Sequence, residues 1–142
     1  MIPHFCKVKH DPPHSYGDCL RACIASLCNI QNVDHVPHFY DDGDDERGAL
    51  RLREFLATRG YFPFYMGLQA GNTTSIENIF KMMSEINTDV EYLLFCQCGG
   101  GDHVVICRNA KVIHNPAWYN SPISGPCENG FWVIVVMVPI NP

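Results

Sequence analysis

Between Ile86 and Val90 the hydrophobic period of this chain changes, and that change limits the fold more than any other feature. Before it, apolar residues recur at spacings of three and four, the repeat of a half-buried helix. Leu20, Cys23, Ile24, Leu27 and Cys28 predict a helix from Cys19 to about Asn29, with Asp18 as its cap. Leu50, Leu52, Phe55 and Leu56 predict a second over Asp45–Arg59, stopped by Gly60. Thr74 or Ser75 opens a third, running to about Ile86 with Ile76, Ile79, Phe80 and Met83 on one face. Beyond it, Val90–Gln97, His103–Arg108, Lys111–His114 and Phe131–Val138 are short runs rich in branched and aromatic residues, as strands are. Tyr61–Met66 is a further strand candidate, assigned to a sheet edge by Pro63. Residues 1–17 read as an extended arm and Gln31–Gly43 as a loop. Helices followed by strands is the α+β order, with N-terminal helices packed on a C-terminal antiparallel sheet.

A length of 142 residues is one domain's worth, so residues 1–142 are expected to form a single domain without a linker. Such a chain buries roughly two-thirds of its unfolded surface and needs neither disulfide nor metal to fold. Fifteen acidic residues outweigh ten basic ones, and no basic block interrupts them. That balance repels phosphate backbones and argues against a nucleic-acid partner. The longest apolar run, Phe131–Val138, falls far short of the ~20 residues of a membrane span. Met1-Ile2-Pro3-His4 lacks the basic-then-apolar pattern of a secretory signal, so a cytoplasmic location is expected. Eight cysteines in this setting read as thiols rather than as a disulfide framework, several of them embedded in apolar runs as small hydrophobes.

Chemistry concentrates in two segments. In Gly17-Asp18-Cys19-Leu20-Arg21-Ala22-Cys23 a cysteine stands at the first turn of a predicted helix. Unpaired N–H groups and the helix dipole there favour a thiolate, the nucleophilic form, and can donate to an oxyanion. The charge of Asp18 opposes this unless the carboxylate is turned away. In Gly101-Asp102-His103-Val104-Val105-Ile106 a histidine opens a strand, and the chain turns back through Arg108-Asn109-Ala110 toward His114-Asn115-Pro116. A three-residue loop pairs Cys107 with Lys111 and sets His103 opposite Asn115; a two-residue loop turns Asn115 to the other face. In the first register Asn115 can hold the imidazole in the tautomer that takes a proton from Cys19.

A cysteine opening the first helix, with a later strand-borne His and then Asn before Pro, resembles the papain-like cysteine hydrolases. Within them the chain is most similar to the peptidase domains of bacteriocin-exporting transporters, which show a similar Asp-Cys-x-x-x-Cys start, a His-x-Val-Val strand where this chain has His103-Val104-Val105-Ile106, and an Asp-Pro turn where it has Asn115-Pro116. Gly17 to Leu27, with Val36-Pro37-His38-Phe39 following, also resembles small bacteriophage and bacterial proteins of that fold. The resemblance implies a papain-like fold and a thiol peptidase, isopeptidase or amidase with Cys19 as nucleophile, His103 as base and Asn115 as orienter. It implies no cofactor, and as substrate a peptide or protein conjugate of a bacterial host. An acyltransferase on the same triad, or an inactive binding module of the same fold, are the alternatives. Papain-like enzymes carry a Gln before the nucleophile that helps form the oxyanion hole. No Gln or Asn precedes Cys19 here, which leaves His14 or His10 to substitute.

Other candidates have plainer readings. Cys23, one turn beyond Cys19, reads as core before it reads as a resolving thiol. Cys96-Gln97-Cys98 with His103 and Cys127 suggests zinc, but structural zinc sites more often put about two to four residues between paired cysteines. The run Asp41–Glu46 suits the start of a helix and lacks a calcium-loop pattern. His35 and His38 read as loop residues, and His114 alternates away from Asn115. Trp118 is a candidate shield for Asn115. Asn72-Thr73-Thr74 fits a glycosylation sequon but has no secretion signal to support it.

Overall fold

A computed structural model describes residues 1–71, 74–99, 101–117 and 121–140. Its elements run α1 (Cys19–Leu27), a 3-10 turn (Val33–His35), α2 (Asp45–Thr58), β1 (Tyr61–Gln69), α3 (Ile76–Glu85), β2 (Glu91–Cys98), β3 (Gly101–Arg108), β4 (Lys111–His114), β5 (Ile123–Gly125) and β6 (Phe131–Pro139). The class is α+β, as the change of period requires, with an antiparallel sheet in the order β1-β6-β2-β3-β4 and β5 beside β2. The expected shield Trp118 and most of the Asn72 sequon lie outside the described residues. The chain forms two compact units, one mainly Met1–Pro63, the other mainly Phe64–Asn115 with the chain up to Val136.

In the first unit α1 buries Leu20, Ala22, Cys23, Ile24, Ala25 and Ser26. The loop after it contributes Val33, Val36 and Phe39 to the buried set. Asp44 caps α2 by accepting from Arg47 N at 3.0 Å. The helix turns Gly48, Leu52 and Leu56 inward at steps of four. Gly48 is required there, because a Cβ would lie 2.1 Å from the Tyr40 ring. Leu50 was expected on the buried face but is 54% exposed. Two residues rotate a helix by about 200°, so Leu50 and Leu52 cannot share a face. The acidic run is tied down locally: Arg51 Nη2 meets Asp42 Oδ2 at 2.8 Å, which holds the Asp42 carboxyl well below the usual carboxylate range.

The second unit holds the sheet core and α3. Ser75 caps α3 by accepting from Asn78 N. The helix lays Ile79 and Met83 against the sheet face formed by Tyr92, Leu94, Cys96, Val105, Cys107, Trp132 and Ile134. It also carries the chain from β1 to β2 past the slot that β6 fills, so Phe131–Pro139 is an interior strand. β1 is an edge strand and runs on to Gln69, three residues beyond the stretch its composition suggests. β5, with only three residues and a glycine, has no period to reveal it.

Urea denaturation of Ile79→Ala is expected to show a loss of about 2–5 kcal/mol, the cost of emptying a filled core position. Leu50→Ala should change stability by less than about 0.5 kcal/mol. Equal losses at both positions would contradict the assigned helix faces.

Candidate active site

Strand β3 pairs with β2 in unbroken register, Tyr92↔Cys107 through Leu94↔Val105 to Cys96↔His103. Directly opposed residues share a face, so His103 lies on the face of Val105 and Cys107. The return into β4 uses a two-residue turn, Asn109-Ala110, with Arg108 opposite Lys111 and Asn109 at φ 55°. By itself that register would turn Asn115 away. The pairing then shifts, from Cys107↔Val112 to Ile106↔His114, so that β4 carries one extra residue. A bulge of one residue inverts the face of everything beyond it. Asn115 thus returns to the face of His103, and His114, paired with Ile106, goes to the other.

The result is a hydrogen bond from His103 Nε2 to Asn115 Oδ1 at 2.8 Å. The amide orientation is fixed from its other end, where Asn115 Nδ2 donates to the Ser121 carbonyl at 3.1 Å. An amide oxygen can only accept, so the imidazole proton sits on Nε2 and Nδ1 keeps its lone pair. The imidazole is nearly buried. Burial pushes its pKa down, and the Asn115 hydrogen bond offsets part of that shift. Near neutrality His103 is a neutral base with Nδ1 as its accepting atom. Asp102, its neighbour in sequence, accepts from Glu128 N at 2.8 Å and takes no part in this pairing.

In the first unit Cys19 is the first residue of α1 and half-buried. Asp18 occupies the cap position, yet its carboxylate makes no capping hydrogen bond. Oδ1 instead accepts from Lys7 N at 2.9 Å and Val8 N at 3.0 Å. Oδ2 lies 3.8 Å from Arg21 Nη1, and Arg21 is itself held by the Val36 carbonyl at 2.7 Å. The expected cap is therefore corrected. The carboxylate binds the arm through Oδ1 alone; Oδ2, buried and without a hydrogen-bond partner, has the Arg21 guanidinium as its nearest opposite charge. The first-turn N–H groups are left unclaimed by a cap side chain, and Arg21 offsets part of the charge beside Cys19.

The two oxyanion candidates differ. His10 Nδ1 accepts from Gly17 N at 3.1 Å, which fixes the neutral ring with its proton on Nε2. A Cβ on Gly17 would approach His10 Cβ to 3.1 Å, so a glycine here lets the ring sit two residues before Cys19. His14 lies in the exposed turn closed by Asp11 and Ser15. Cys23 is buried in α1. Cys96 and Cys98 place their sulfurs 3.8 Å apart, both buried. Among the described residues no group of three or more His, Cys, Asp or Glu side chains is arranged to hold a metal ion. Two features lie beyond sequence reasoning: the Ser121 carbonyl that fixes Asn115, and the hold of Asp18 on Lys7 N and Val8 N, next to Cys6. The first is backbone and the second spans ten and eleven positions of irregular chain.

By NMR, His103 should titrate below the ~6.5 of an ordinary histidine, and Asn115→Ala should lower it further. The unfolded chain takes up this proton first on acidification. The stability that neutral His103 contributes is thus full above about pH 6.5 and shrinks as pH falls toward the folded pKa. A His103 pKa above ~6.5, or one raised by Asn115→Ala, would contradict this environment.

No protein-family model, curated protein or solved structure matches this chain, so what it can do rests on its own geometry.

Proposed function

We propose that the chain is a thiol-dependent hydrolase, a cysteine peptidase, isopeptidase or amidase of papain-like type. Cys19 is its nucleophile, His103 its base and Asn115 the orienting amide. The observation that carries this reading is the hydrogen bond between His103 Nε2 and Asn115 Oδ1, which leaves Nδ1 as the proton acceptor. A histidine so held has the tautomer a nucleophile–base pair needs. Cys19 supports the reading from its own unit: a half-buried thiol at a helix start whose cap carboxylate is engaged elsewhere.

In this mechanism Nδ1 takes the Cys19 proton as sulfur attacks an amide, isopeptide or thioester carbonyl. The imidazolium returns that proton to the leaving amine or thiol. Water, deprotonated by the same nitrogen, then attacks the acyl-enzyme and releases the acid. An amine in place of water makes the site an acyltransferase. First-turn N–H groups of α1 and His10 Nε2–H supply the oxyanion donors, the role papain-like enzymes give to the Gln that is absent here. The substrate is a peptide or protein conjugate, of a bacterial host if the bacteriophage resemblance holds. A reducing cytoplasm suits a chain whose eight cysteines are all thiols. Among the described residues no helix is long and apolar enough to cross a membrane.

Alkylation of each cysteine by iodoacetamide against pH, read by peptide mass spectrometry, tests the pair. Cys19 is expected to react fastest near neutrality and to slow about 10-fold or more in His103→Ala, less than the roughly 10²–10⁴-fold a positioned base supplies in a full reaction, because alkylation needs only the thiolate. Ordinary reactivity with a pKa near ~8.5, unchanged in that variant, would end the enzyme reading. Acylation by p-nitrophenyl acetate separates the oxyanion donor. His10→Ala should slow it by about 10²-fold while sparing alkylation, which forms no oxyanion, and His14→Ala should do neither. Equal effects of the two histidine variants would remove His10 from the role.

A further inference from the structure

The arm is held against the start of α1 by a built contact. Lys7 N and Val8 N both bind Asp18 Oδ1, so the chain on either side of that clamp is drawn together, Cys6 on the arm and Cys19 on the helix. Cys6 is fixed on its own account, its amide donating to the Pro116 carbonyl at 2.9 Å. The two thiols interact electrostatically. Burial pushes Cys6 up to about 12, and charge on Cys19 and on Asp18 adds to that rise. Both are half-buried, within reach of a small reagent, whereas Cys23 is fully buried.

We propose that Cys6 is a resolving thiol for Cys19, and that a peroxide converts the two into a Cys6–Cys19 disulfide that reversibly switches the site off. The proposal rests on the reading of Cys19 as the nucleophile. The Cys19 thiolate attacks hydrogen peroxide and the O–O bond breaks, leaving Cys19 as a sulfenic acid. The departing hydroxide becomes water with the proton Cys19 gave up. Cys6 sulfur then attacks the sulfenic sulfur; an S–S bond forms as the S–O bond breaks, and the Cys6 proton leaves with that hydroxide as a second water. The thiols lose two electrons and the peroxide gains two. The order is set by charge. Cys6, held neutral, does not compete for the oxidant. Oxidation of Cys19 then removes one of the charges that suppress Cys6. Sulfur bound in a disulfide has no thiolate form and cannot attack a carbonyl, and a dithiol reductant, itself oxidised to a disulfide, restores both thiols.

Trypsin separates the four cysteines concerned into three peptides, Met1–Lys7 (Cys6), His10–Arg21 (Cys19) and Ala22–Arg47 (Cys23 and Cys28). After one equivalent of hydrogen peroxide the full chain should yield Met1–Lys7 linked to His10–Arg21. Iodoacetamide labelling of Cys19 should fall about 10-fold and return with dithiothreitol. In Cys6→Ser the link should be absent, dimedone should trap Cys19, and excess peroxide should block Cys19 irreversibly. Linkage of His10–Arg21 to Ala22–Arg47, or equal irreversible loss in wild type and Cys6→Ser, would overturn the proposal. The underlying reading fails separately, if Cys19 of the untreated protein labels no faster than an ordinary thiol whether or not the link forms.

Discussion

A strand presents its side chains with a period of two, so one inserted residue moves all that follow to the opposite face. In this protein that constraint decides the candidate site in β4; a second register shift, between Gln97 and Cys98 where β2 meets β5, does not involve Asn115. The tight turn at Asn109 sets a register in which Asn115 points away from His103, and the shift between Cys107 and Ile106 reverses it. The turn has little freedom to slide. Tyr92, fully buried, donates its hydroxyl to the Asn109 carbonyl at 2.8 Å. Asn109 and Asp89, both at positive φ, exchange hydrogen bonds of 2.8 and 3.0 Å. With the turn pinned, the bulge has one consequence: an amide oxygen and an imidazole meet on one face, and His114 goes to the other.

Asp18 is the corresponding constraint in the first unit. A carboxylate with 1% of its surface exposed needs compensation, and here it comes from two arm amides and a nearby guanidinium. The alternative, capping its own helix, would satisfy first-turn N–H groups and leave the arm only its other ties, from His4 N to Ser26 Oγ and from Cys6 N to the Pro116 carbonyl. Binding the arm reverses both outcomes. The residues before α1 become part of the folded structure, and the Asp18 side chain takes no first-turn N–H group.

Much of this was legible in the sequence because it is periodic. The three helices, the long strands and the α+β order follow from spacing alone, and β4 begins and ends where its composition says. Leu50 misleads because an apolar residue every two positions satisfies no single helix face. The bulge was not legible, since nothing in Lys111-Val112-Ile113-His114 marks which residue is extra. The loop-length argument that sorts Asn115 by parity is sound, but it assumes an unbroken ladder. Asp18 was recognised as a cap by residue type; its real partners are backbone amides ten and eleven positions away, which no local pattern encodes. The cysteine at a helix start and the His-to-Asn spacing were visible as types in order. What joins His103 to Asn115 was a register.

Eight thiols in one small chain raise the question of why any one should react, and their surroundings sort them. Burial pushes Cys28 and Cys107 up and helps push Cys96 up, and it does the same to Cys6 with charge added. Cys98 moves the other way through its hydrogen bond with Cys96, but only 5% of it is exposed, so an electrophile cannot reach the sulfur. Cys23 is enclosed in α1, and Cys127 stands in a turn with no helix behind it. Cys19 combines partial exposure with the positive end of a helix. The proposed reactivity of Cys19 thus rests on its position at a helix start and not on the abundance of cysteine.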